Sequence, residues 1–139
     1  MEEQKVKEIS YDIYQPFGPS ILKAKFPKPY LENMLKISDK LLSDEKLSQK
    51  HDWSSQLAGN VHKEVRIPHE KIEGLATFFM AMSEQYLIKA LGKDRVPEGA
   101  GVSLRVWVVS QYAGDFNPMH IHDANLSGVC FLKLPPNYE

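Results

Sequence analysis

Apolar and polar residues alternate from Ile9 to Tyr14, with Ile9, Tyr11 and Ile13 set against Ser10, Asp12 and Tyr14. Side chains of an extended chain point alternately to opposite faces, so the pattern predicts a strand. Pro16-Phe-Gly-Pro19 reads as a turn, and Ile21–Phe26 as a second short strand. Beyond Pro27 and Pro29 the period changes. Leu31, Leu35, Leu41 and Leu42, with Met34 and Ile37 alongside, mark one helix of about four turns with an apolar stripe. Ser43–Gln56 is polar and mixed and supports a loop or a short helix. Leu57–Asn60 is a turn, and Val61, Val65 and Ile67 alternate with polar residues in an extended run that ends at Pro68.

The clearest helix runs from His69 to Leu91, where Ile72, Leu75, Phe79, Met82, Tyr86 and Ala90 share one face and Gly92 is the stop signal. After the Pro97–Gly101 loop, the β-branched and aromatic content of Val102–Tyr112 predicts a long strand. A turn at Gly114-Asp115 and a further strand over Leu126–Leu134 follow, closed by Pro135-Pro136. Residues 1–8 are charged and aperiodic, as in a fraying terminus. No internal repeat or low-complexity tract is visible.

Composition narrows the class without naming a function. The chain has 139 residues, enough for one domain that buries roughly two-thirds of its unfolded surface. With 42% hydrophobic and 25% charged residues and a net charge of −1, nothing draws it toward nucleic acid or an anionic membrane. The one cysteine, Cys130, has no intramolecular disulfide partner and is expected to be a buried thiol in the last strand. No secretory signal opens the chain, and no run of about 18 apolar residues occurs. A cytoplasmic protein is the expectation.

Candidate chemistry concentrates in Asn117-Pro-Met-His120-Ile-His122-Asp123. Residues i and i+2 of an extended segment face the same way, so the imidazoles of His120 and His122 are placed to converge on one ion. A facial iron site wants three protein ligands, and Asp123 is the third candidate. From spacing alone, metal binding and a hydrogen-bonded loop pair stand about even. His51, His62 and His69 have no second ligand type at metal spacing and are expected to be ordinary histidines. Trp53, Trp107, Tyr112 and Phe116 are read first as core and second as pocket lining. Phosphate loops, zinc-type cysteine pairs and nucleophile elbows are absent from the sequence.

The stretch Trp107-x4-Tyr112-x-Gly114-x2-Asn117-x2-His120-x-His122-x4-Ser127-Gly-Val-x-Phe131-Leu132 resembles the metal-proximal half of the 2-oxoglutarate and Fe(II)-dependent oxygenases. The resemblance is to a poorly characterised phage and bacterial subgroup, and with Gln56-Leu-Ala-Gly59 it extends over most of the chain from about Ile9. It implies an α+β fold, a double-stranded β-helix or jelly roll with N-terminal helices packed on one side. It also implies Fe(II) and 2-oxoglutarate as cofactors, His120 as the first ligand and hydroxylation as the outcome. The family carries Asp or Glu two residues after its first histidine, where this chain has His122. Tyr112 and Asn117 are the cosubstrate contacts the resemblance suggests, Ser127 and Asn125 weaker ones, and Arg105 or Lys133 the partner of the far carboxylate of 2-oxoglutarate.

The family's distal histidine and its basic residue lie some 50 or more residues further on, and Asp123–Glu139 contains no His or Arg. The expectation is therefore a jelly roll cut after its first half, whose remainder belongs to a longer parent enzyme or comes from a second copy by strand exchange in a dimer. A non-enzymatic jelly-roll binding or assembly module is the alternative. A cupin-like metal enzyme independent of 2-oxoglutarate ranks third.

Overall fold

A computed structural model describes residues 10–56, 59–96, 99, 101, 103–136 and 138. It is mixed α+β, with three α-helices and two small antiparallel sheets. Strands β1 (Tyr11–Tyr14) and β2 (Ile21–Ala24) form a hairpin in which Tyr11 faces Ala24 and Tyr14 faces Ile21. Gly18, at φ 131°, supplies the left-handed backbone that the turn needs.

Helix α1 (Lys28–Ser43) starts where Pro27 and Pro29 preset φ for a first turn that has no use for their missing N–H groups. It buries Met34, Ser38 and Leu41, an i, i+4, i+7 stripe. Asp44 ends this helix and begins α2 (Glu45–Lys50), accepting a hydrogen bond from the Leu47 amide at 3.1 Å. The long helix α3 (His69–Leu91) has the bounds its periodicity predicts, and its backbone turns out at Gly92, φ 93°.

Strand β3 (Lys63–Arg66) pairs antiparallel with β4 (Trp107–Ser110), Glu64 opposite Val109 and Arg66 opposite Trp107. Val65 and Val108 point into the core with Met34, Leu41, Ile67, Ile72 and Leu75. The long helix is tied to the hairpin by Tyr86, which donates to the Ser20 carbonyl at 2.8 Å, and by Tyr11, which donates to Gln85 at 3.1 Å. Phe26, Tyr30, Phe78 and Phe79 form an aromatic cluster between α1 and α3.

Three expectations need correction. The long strand over Val102–Tyr112 shrinks to Trp107–Ser110 because β3, its partner, has only four residues. Leu126–Leu134 is not a strand: its apolar pattern suits one, but among the described residues no backbone ladder receives it. Cys130 is accordingly exposed rather than buried. The segment is nevertheless attached, since Leu132 packs on the core and Lys133 pairs with Asp39 of α1. The expectations for residues 1–9, for Leu57-Ala58, for most of the Pro97–Gly101 loop and for Val102 lie outside the described residues. No described helix is long and apolar enough to cross a membrane.

Candidate metal centre

Beyond β4 the chain turns at Gly114 and returns alongside residue 60, where Asn60 and Phe116 exchange two backbone hydrogen bonds of 3.0 and 2.8 Å. Asp115 secures this turn, its carboxylate accepting from the amides of His62 at 3.0 Å and Tyr112 at 2.9 Å. Gly59 lies so close beneath it that a Cβ would stand 2.6 Å from the Phe116 carbonyl oxygen and 2.7 Å from Pro118 Cδ. Its φ of 125° is also one that side chains disfavour. These constraints fix the chain immediately before the histidines.

His120 and His122 do converge, with their Nε2 atoms 2.7 Å apart. Hydrogen-bond chemistry assigns the protons. Pro118 O can only accept, so at 2.8 Å His120 must present Nδ1–H and keep a bare lone pair on Nε2. In the neutral pair His122 then donates from Nε2, and its Nδ1 accepts from the Ser127 hydroxyl at 2.7 Å. Ligands at right angles with metal–nitrogen bonds of about 2.1 Å lie about 3 Å apart, so a bound ion would replace the shared proton after a small opening of the pair. His122 would move its hydrogen to Nδ1 and Ser127 would rotate to accept it. A ligating imidazole usually has its outer nitrogen hydrogen-bonded in this way.

The pair lies at an open depression of about 410 Å³ lined by His120, His122, Ala124, Asn125 and Ser127. Trp107 meets the His122 ring edge-on, with centroids 5.4 Å apart. Asp123 does not complete a triad: among the described residues no group of three His, Cys, Asp or Glu side chains is placed to hold an ion. Its backbone carbonyl instead accepts from the Arg105 guanidinium. Lys133 is directed to Asp39 on α1. Tyr112 and Phe116 are exposed, not core, and Tyr112 stands against His62 with ring centroids 4.7 Å apart. Asn117 is exposed in the segment that Gly59 supports. His120, His122 and Ser127 are thus brought together and Arg105 reaches the same loop, whereas Tyr112, Asn117 and Lys133 do not line the depression.

Glu64 went unnoticed in the sequence. It is 0% exposed, and neither carboxylate oxygen has a hydrogen-bond partner among the described residues. Burial pushes its carboxyl up to about 7, with His120 acting to lower it and Asp52 to raise it further. Alternation had put Glu64 with the solvent-facing residues of its strand, and no local pattern signals that tertiary structure covers that face.

No family model matches this chain, and none of the curated proteins or solved structures does.

Proposed function

We propose that the His120–His122 depression is a divalent-metal centre and that the protein is an Fe(II)- and 2-oxoglutarate-dependent dioxygenase acting as a hydroxylase. The observation carrying this reading is the meeting of two Nε2 atoms 2.7 Å apart, with both outer nitrogens already engaged. We read the fold correspondingly as the metal-proximal part of a jelly roll.

His120 and His122 would hold the iron, which when bound supplies the redox chemistry coupling 2-oxoglutarate oxidation to hydroxylation of a C–H bond. The remaining work falls to side chains of the chain itself. The Pro118 carbonyl keeps His120 in the tautomer that leaves Nε2 free, Ser127 orients His122, and Trp107 shields one edge of that ring from water. Arg105, the cation that reaches the histidine loop, is the better of the two candidates for the far carboxylate of 2-oxoglutarate. Asn125, which lines the depression, is the candidate contact to cosubstrate or substrate.

The test is iron-dependent succinate formation from 2-oxoglutarate with the distal ligand supplied, by strand exchange in a dimer or by a longer parent protein, and its loss in His120→Ala. Turnover that survives His120→Ala removes the reading. A non-enzymatic assembly module is favoured by one specific observation, the exposed apolar run of Met119, Ile121, Val129 and Phe131. An oligomer indifferent to iron and chelators, without succinate formation, would select it.

A further inference from the structure

The β3–β4 ribbon has two faces of opposite character. Val65 and Val108 occupy the core face, so their strand neighbours Glu64, Arg66, Trp107 and Val109 occupy the other. Trp107 carries His122 on that second face, and His122 is hydrogen-bonded to His120. Glu64 is therefore buried on the side of the ribbon where the histidine pair sits. An ionised carboxylate with no hydrogen bond is costly to bury unless a cation compensates it. Arg66 lies on the same face, but its guanidinium stands over Trp53, 5.1 Å from the ring centroid.

We propose that Glu64 is the anionic component of the His120–His122 cation site, its buried carboxylate balancing a divalent ion held by two neutral imidazoles. The proposal rests on the metal-centre reading above and adds the negative charge that a His-x-His pair lacks. Glu64 is not grouped with the imidazoles at ligand spacing, so it acts through space as a charge-balancing and positioning residue rather than as a ligand. Burial makes it effective, because a charge in a poorly polarisable interior is felt far more strongly than one in water. Asp123, exposed to solvent, is screened by comparison.

The experiment titrates the metal-free protein with Co²⁺ at neutral pH, following absorbance and heat, and records thermal unfolding of each variant without metal. Glu64→Gln is expected to weaken Co²⁺ binding by roughly tenfold or more, and Glu64→Asp to retain most of the affinity. Metal-free Glu64→Gln should unfold no lower than the wild type, because a buried acid with no hydrogen-bond partner among the described residues has been removed. Glu64→Leu is the second charge-free variant, suited to burial, and must show the same loss of affinity. Wild-type affinity in a folded charge-free variant, with His120→Ala failing to bind, overturns the role of Glu64 and leaves the metal centre standing. A wild-type protein that binds no Co²⁺ overturns both.

Discussion

The packed body of the molecule and the segment from Met119 to Leu134 are both rich in apolar side chains, yet they use them differently. In the body, Val65, Ile72 and Leu75 are almost entirely buried, whereas Ile121 is 95% and Phe131 64% exposed. Hydrophobicity alone did not separate the two regions. Helices α1 and α3 meet their own backbone hydrogen-bonding needs and then bury a stripe, but a strand must find a partner edge before its apolar face has anywhere to go. The C-terminal segment is held to the body at discrete places, among them Leu132, Lys133 and the Arg105–Asp123 contact. The histidine pair lies within this loosely covered region, where chemistry has access to solvent.

The largest test of the contrast is Leu75→Ala against Ile121→Ala in urea unfolding. Truncating Leu75 opens a cavity and should cost about 2–5 kcal/mol, while the exposed Ile121 should change stability by less than about 0.5 kcal/mol. Equal effects would mean that Ile121 is covered in solution.

Next comes Glu64, at the border between the regions. Its folded carboxyl is raised from an ordinary 4.5 to about 7, so the folded state holds the proton more tightly than the unfolded chain. Relative to Glu64→Gln, the metal-free wild type should therefore be most stable below pH 4.5 and lose stability as pH rises through about 7, remaining at its low level above. The full change is about 3 kcal/mol at most. Parallel stability–pH curves for wild type and Gln variant would contradict the burial.

Gly59→Ala probes how the body positions the loop. The new Cβ would collide with the Phe116 carbonyl and Pro118 at an unfavourable φ, costing about 1–3 kcal/mol and weakening Co²⁺ binding without altering either histidine. Unchanged affinity would show that the Gly59 cradle does not set the pair. The smallest effect is expected for Lys133→Ala, which breaks an exposed ion pair with Asp39 and should cost under about 1 kcal/mol. A larger loss would identify that contact as the main anchor of the C-terminal segment.

Both principal helices were legible in the sequence because their signals are local: proline punctuation, three-and-four spacing and a terminal glycine. The first hairpin and the short β3 were legible for the same reason, from alternation between turn residues. Leu126–Leu134 misled because alternation reports a capacity to form a strand, while the ladder itself depends on a second backbone. Cys130 then followed that error, whereas Tyr112 and Phe116, read as core for their aromatic rings, lie exposed beyond the end of β4.

At the site, residue spacing by itself determined that His120 and His122 face the same way, since any extended backbone sets i and i+2 on one side. Which proton each ring carries was decided only in three dimensions, by the Pro118 carbonyl and the Ser127 hydroxyl, and so was the place of Asp123, whose carboxylate is not grouped with the pair among the described residues. Glu64 belongs wholly to tertiary structure. Its strand pattern assigned it to water, and only the covering of the outer face of the ribbon deprived its carboxylate of solvent, because burial depends on what distant parts of the chain bring to a face.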